Sequence, residues 1–124
     1  DYDTPQPIDG ISFVPLLKQT GNPSENRSLY WNVPNIWGEQ GPGIGATCTI
    51  RQGDWKLIYF YEEGKKELYN IREDISEKHN LAVEHPELVK RLSADLGNYL
   101  RSVDAQRPAF KATGQLVPWP DEVE

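Results

Sequence analysis

The chemistry-bearing side chains of this sequence are few, and most are not spaced for reaction. His79 and His85 stand six apart, not at the i,i+4 spacing of a helical metal pair, and no third ligand accompanies them. They read as solvated surface histidines. A single cysteine, Cys48, excludes an internal disulfide and a multi-cysteine zinc site. It sits in the alternation Ala46, Cys48, Ile50, the placement of a small buried hydrophobe rather than of a nucleophile. The run Gly41-Pro-Gly-Ile-Gly45 has the composition of a phosphate cradle, but it lacks the Gly-Lys-Ser/Thr ending, and Pro42 removes an N–H. It reads as a plain loop. Asp54, Glu62 and Glu63 fall in turns, and no serine occupies a Gly-x-Ser-x-Gly elbow. No complete active site is expected in this chain, with no catalytic residue and no metal site. One stretch is unusual for a bland loop. Trp31-Asn-Val-Pro-Asn-Ile-Trp37 sets two indoles and two amides around a proline at a strand end. Indole faces and amide donors and acceptors suit a sugar-like ligand. Packing of Trp31 in a core, with Trp37 capping an interface, remains the competing reading.

The elements that must position this cluster follow from periodicity. Residues 1–26 are rich in Pro, Asp, Gly, Asn and Ser and carry one apolar island, Ile11 to Leu17, with a short helix expected near Ser12. This segment reads as a connector. Four strands follow: 27–32, with Leu29 and Trp31 on one face and Tyr30 on the other; 46–51; 55–61, apolar on nearly both faces and so central; and 66–71. The turn Gln52-Gly53-Asp54 and the loop Glu62-Glu63-Gly64-Lys65 join the last three into an antiparallel meander. From Pro86, Leu88, Val89, Leu92, Leu96, Tyr99, Leu100 and Val103 share one helical stripe, and Gly97 lies on the polar side. The expected fold is α+β: a four-stranded antiparallel sheet packed by one C-terminal amphipathic helix. The opposite sheet face is expected to carry Tyr and Trp rather than charges, an aromatic patch of the kind that marks a partner surface. Residues 27–103 form the folded unit. Residues 104–124, with Pro108, Pro118 and Pro120, read as an extended tail ending in the solvated acids Asp121, Glu122 and Glu124.

Composition narrows the function classes. At 124 residues and 37% hydrophobic, the chain is long enough for one core without staples. A net charge of −6 opposes nucleic-acid or anionic-lipid partners, which need a basic footprint. No apolar run is long enough to span a membrane, and with no basic-then-apolar opening no signal peptide is expected within these residues. The sequence contains no methionine and begins at Asp1, so a preceding part of the gene product is expected.

Several motifs, in order, resemble the C-terminal subdomain of a type I, arylsulfatase A-like sulfatase. Ile8-Asp-Gly-Ile-Ser-Phe-Val-Pro-Leu-Leu-Lys18 is similar to the family's D-G-x-S-x-x-P-L-L segment, and Arg27-Ser-Leu-Tyr-Trp-Asn32 to R-x-L-Y-W-H. Ile50-Arg-Gln-Gly-Asp-Trp-Lys-Leu-Ile58 resembles the R-x-G-x-W-K-L-I hairpin. Glu67-Leu-Tyr-Asn-Ile71, Asp74, Glu77 and Asn80-Leu-Ala82 follow the run E-L-Y-N-L-x-x-D-P-x-E-x-x-N-L-A, with Ile75 where the family has Pro.

The resemblance implies the smaller domain of an alkaline-phosphatase-like sulfatase, a sulfuric ester hydrolase. Its formylglycine nucleophile, made from a Cys-x-Pro-x-Arg motif, and its calcium ion belong to a large N-terminal catalytic domain. Cys48 is followed by Thr49-Ile50-Arg51 and does not match that motif. This chain is then expected to pack on the catalytic domain and lend residues to the rim of a cleft for a sulfated substrate. Asn32, Asn35 and Trp37 are the expected substrate-binding residues. Asn32 replaces a cleft-facing His, which leaves hydrogen bonding rather than proton transfer. A periplasmic or secreted location is expected if the parent is a bacterial sulfatase; one cysteine is equally compatible with the cytosol. The alternative is a free-standing carbohydrate-binding or protein-interaction module using the same sheet.

Overall fold

A computed structural model describes residues 10–23, 27–35 and 45–123. Four strands form one antiparallel sheet in sequential order: β1 (Ser28–Val33), β2 (Thr47–Gln52), β3 (Trp55–Phe60) and β4 (Lys65–Asn70). Each strand lies within a residue or so of its expected range. The central pair is β2 and β3, as the two-sided apolar pattern of β3 requires, and β1 is an edge. Both tight connections use left-handed glycine, Gly53 (φ 59°) and Gly64 (φ 63°), so the register Gln52↔Trp55 closes in two residues.

A short helix α1 (Val14–Leu17) has Phe13 at its N-cap and Pro15 in its first turn, and buries none of its residues. The long helix α2 (Pro86–Ser102) begins on Pro86 with Glu87 in the first turn and Arg101 in the last, the charge order favoured by the helix dipole. It covers one sheet face. Leu92, Leu96 and Leu100 are buried against Ile50, Leu57, Tyr59 and Leu68. At the stripe's edge Tyr99 stays part-exposed and stacks flat on Tyr30 of β1, with ring centroids 3.8 Å apart. Val103, one turn on, is exposed.

Three expectations are corrected. First, the C-terminal segment is not a solvated tail. Val117, Trp119 and Pro120 are buried, Trp119 at only 7% exposure, and a 3-10 turn over Pro120–Glu122 packs on α2. Asp121 and Glu122 pair with Arg101, and Glu122 reaches Arg107 at 3.5 Å. The Tyr59 hydroxyl donates to the Pro118 carbonyl at 3.0 Å, and the Lys66 ammonium donates to the Val123 carbonyl. Extended backbone here is packed backbone. Second, Gly97 is buried beneath this segment rather than on an open polar face: a Cβ there would lie 2.0 Å from Asp121 Oδ1. Third, the open sheet face is mixed. Strand parity does put aromatics there, Trp31, Phe60 and Tyr69, with Leu29, Val33, Thr47, Thr49 and Ile58, but Arg51, Lys56, Lys65 and Glu67 share it. Tyr59 and Trp55 face α2 instead.

Candidate functional site

The candidate cluster begins at the C-terminal end of β1. Asn32 is half-buried and lies on the α2 side of the strand, opposite in parity to Trp31. Its Oδ1 accepts from the Tyr61 hydroxyl at 2.8 Å, and its Nδ2 donates to the Gln106 carbonyl at 2.9 Å. Three stretches of chain distant in sequence thus meet at this one amide. Asn35, three residues on, is exposed. Trp37 and residues 41–44 of the glycine-rich loop lie outside the described residues, as do Ile8 and Asp9 of the connector motif. Trp31 is not core, and it stacks on no ring among the described residues; it is 49% exposed on the open face. There it borders a concavity of about 480 Å³ whose wall includes Val33, Arg51, Lys56, Ile75 and Glu77.

Sequence reasoning missed Tyr61 and Gln106. Tyr61 ends the apolar run of β3, where it looks like one more core aromatic. Its ring is indeed buried, edge-on to Tyr59 at 5.4 Å and 6.5 Å from Trp119. Only a buried hydroxyl's need for a partner could have pointed to its role. Gln106 contributes through its backbone carbonyl, which carries no side-chain signal.

Beneath the cluster, Cys48 is buried against the Tyr61 hydroxyl, and burial pushes its thiol up to about 12. Burial likewise pushes Tyr59 up to about 12, and Tyr61 upward. All three are held neutral. In the unfolded chain Cys48 and Tyr59 lose their protons near their ordinary values of 9.0 and 10.0. Between there and about 12 the folded state binds more protons, so stability falls as pH rises through that window. We expect the urea midpoint to drop steadily from pH 9 upward. A Cys48→Ala variant should show a shallower decline at the low end of the window; identical slopes would exclude the thiol as a cause.

The motif residues after β4 are structural. Asp74 Oδ2 accepts the backbone N–H groups of Lys78 and His79, which hold its carboxyl below the usual range. Glu77 pairs with Lys56 at 2.6 Å. Asn80 Oδ1 accepts from the N–H groups of Leu68 and Ala82, tying the loop to β4. Among the described residues, no three His, Cys, Asp or Glu side chains converge to hold a metal ion. His79 is exposed, 3.5 Å from Asp74, and His85 stands at the N-terminal boundary of α2 without a side-chain capping bond, edge-on to Trp55. No helix among the described residues is long and apolar enough to cross a membrane.

Comparison with known proteins gives this arrangement a context. The family model described as N-sulphoglucosamine sulphohydrolase, C-terminal, matches residues 1–106. The chain belongs to that family. It is therefore a sulfatase C-terminal subdomain, and the motifs from Ile8 to Ala82 lie inside the matched range. A "Sulfatase" of Formosa agariphila is 26% identical over 124 aligned residues, 93% of this chain and 22% of the relative. The "Uncharacterized sulfatase YdeN" of Escherichia coli K12 is 24% identical, over 87% of this chain and 23% of the relative. The chain thus spans less than a quarter of the length of these relatives. Among solved structures, BT4656 in complex with its substrate D-glucosamine-2-N,6-O-disulfate aligns over 82% of this chain and 21% of its own. That alignment has a TM-score of 0.58 at 25% identity. Ps i-CgsB, in complex with a neocarrahexaose, aligns over 79% of this chain and 20% of its own. Its TM-score is 0.56 at 24% identity, a likeness of fold. The expected α+β fold, a four-stranded antiparallel sheet with one main helix, agrees with these neighbours.

Proposed function

We propose that this sulfatase subdomain is the C-terminal part of a sulfuric ester hydrolase, packed on an N-terminal catalytic domain and completing the rim of its substrate cleft. The family match over residues 1–106 carries this reading. The exposed apolar residues support it: Phe13 and Leu17 at the two ends of α1, and separately Leu29, Trp31 and Val33 on the open sheet face with Ile75 at its edge, are the kind of surface that a larger partner covers. In this reading residues 1–26 are the connector. Asn32, Asn35 and Trp37 reach the cleft, with amides for sulfate or hydroxyl oxygens and an indole face for a sugar ring.

The family's calcium ion and formylglycine do not fit this chain. Cys48 is buried, held protonated, and lacks the following proline and arginine spacing. The described residues offer no cluster of metal ligands. Both groups are assigned to the catalytic domain, and no bond-making step falls to the residues described. Their work is to bind and orient substrate.

The reading frame upstream of Asp1 should encode a Cys- or Ser-x-Pro-x-Arg motif. Its absence would sink the assignment and favour a free-standing carbohydrate-binding module. In the full-length protein, Asn32→Ala and Trp37→Ala should each raise KM for a sulfated saccharide about three- to tenfold with kcat within about twofold, the signature of lost uniform binding. The 124-residue chain alone should hydrolyse no aryl or sugar sulfate. Turnover by that chain, or an unchanged KM in both variants, overturns the corresponding claim.

A further inference from the structure

Asparagine presents two donors and two acceptor sites, and its two ends are easily interchanged; what it offers a ligand depends on what holds it. Here one partner decides. The Gln106 oxygen is a backbone carbonyl and can only accept, so the Asn32 end facing it at 2.9 Å must be the NH₂ group. The Tyr61 hydroxyl at 2.8 Å therefore meets Oδ1 and must donate its only proton. A single direction of donation runs Tyr61 to Asn32 to Gln106. Tyr61 is 1% exposed and packed between rings, so its hydroxyl has no alternative aqueous partner. Two of the four sites on the amide are used, leaving one N–H and one lone pair of Oδ1 at the half-buried strand end. These two hydrogen bonds hold one orientation, because reversal would set Oδ1 against the Gln106 carbonyl oxygen.

We propose that Tyr61 is a positioning residue: the Gln106 carbonyl decides which end of the Asn32 amide faces it, and the Tyr61 hydroxyl pins the other end, so that residue 32 keeps an N–H turned toward the ligand and recognises an acceptor oxygen of a sulfated saccharide. This rests on the reading of Asn32 as a cleft-rim residue. It adds that the recognition is set from beneath, by a residue that never touches substrate.

The test is a double-mutant cycle in the full-length protein, with the sulfated saccharide that it turns over as the probe. Tyr61→Phe keeps the ring and removes the hydroxyl. It should raise KM about three- to fivefold with kcat within about twofold, and should add nothing in an Asn32→Ala background. A rise of the same size in both backgrounds means that Tyr61 acts on the whole structure, and overturns the proposal. An unchanged KM in Tyr61→Phe, with a raised KM in Asn32→Ala, overturns it while leaving the cleft-rim reading intact. An unchanged KM in Asn32→Ala itself removes the reading beneath it, and the proposal with it.

A second measurement does not depend on how well Tyr61→Phe folds relative to the parent. In Asn32→Asp the introduced carboxylate should repel the sulfated substrate, and KM should fall as it protonates at lower pH. The Tyr61 hydroxyl stabilises the charged form of that carboxylate by donating to it. Adding Tyr61→Phe should therefore move this limb of the KM profile to higher pH. A limb that stays in place means that Tyr61 does not hold residue 32.

Discussion

Replacing Trp119 by alanine is expected to cost about 3–5 kcal/mol in urea unfolding of the 124-residue chain, the range for truncating a buried large aromatic. Trp119 is a member of the hydrophobic core together with Leu100, Tyr61 and Val117. The Arg107 guanidinium lies over its ring at 4.8 Å, an arrangement that adds a cation–π contribution. The backbone N–H of Trp119 donates to Glu122 Oε2 at 2.8 Å, which closes the 3-10 turn beneath the buried indole. Leu116→Ala, three residues earlier and 56% exposed, is the control and should cost less than about 1 kcal/mol. Equal costs for the two variants would mean that the segment is held generally rather than by the buried indole. A cost below about 1 kcal/mol for Trp119→Ala would return the segment to the status of a solvated tail.

The second large effect is one of sign. On helix propensity alone, Gly97→Ala should stabilise α2 by about 1 kcal/mol. The C-terminal turn reverses this. An added Cβ meets Asp121 Oδ1 at 2.0 Å and Cγ at 2.7 Å, and Asp121 is not free to swing away. Its two oxygens accept from Arg101 at 2.9 and 3.0 Å. We expect Gly97→Ala to destabilise the chain by about 1–3 kcal/mol, the usual penalty for overpacking a filled site. The cycle with Asp121→Ala isolates the cause. In that background the clash is gone, and Gly97→Ala should become neutral or stabilising by up to about 1 kcal/mol. Measured thermal or urea stabilities of the four proteins decide it. A stabilising Gly97→Ala in the parent chain would show that α2 and the terminal turn do not meet as described.

These two positions show where reading along the chain stops. The helical stripe of Leu92, Leu96 and Leu100 was legible because its partners lie on one face at a fixed period. Gly97 looked like a tolerated weakness on the polar side, since the residue that needs its missing side chain lies 24 positions later and follows no period. Trp119 sits among prolines, which correctly signal extended backbone and say nothing about burial. Strand parity put Trp31 on the open face, but Arg51, Lys56, Lys65 and Glu67 arrived there only through the register of three neighbouring strands.

The candidate site divides the same way. That Asn32 ends a strand beside a proline-bearing loop is visible in the local sequence, and so is the chemistry an amide can offer. Which of its hydrogen-bonding sites remain for a ligand is not. That depends on a tyrosine hydroxyl 29 residues away and on a main-chain carbonyl 74 residues away.

By itself, the amino-acid sequence determined the local patterns: four strands, two glycine turns, one amphipathic helix, and the ordered motifs of a sulfatase C-terminal subdomain. Each of these is a property of neighbours along the chain, whose side-chain spacing decides which face is apolar. Only the tertiary structure decided that the C-terminal segment belongs to the core, that Gly97 must lack a side chain, and that the Asn32 amide has one orientation. Those outcomes depend on contacts between residues far apart in sequence. Their geometry exists only once the sheet, the helix and the returning segment have packed together.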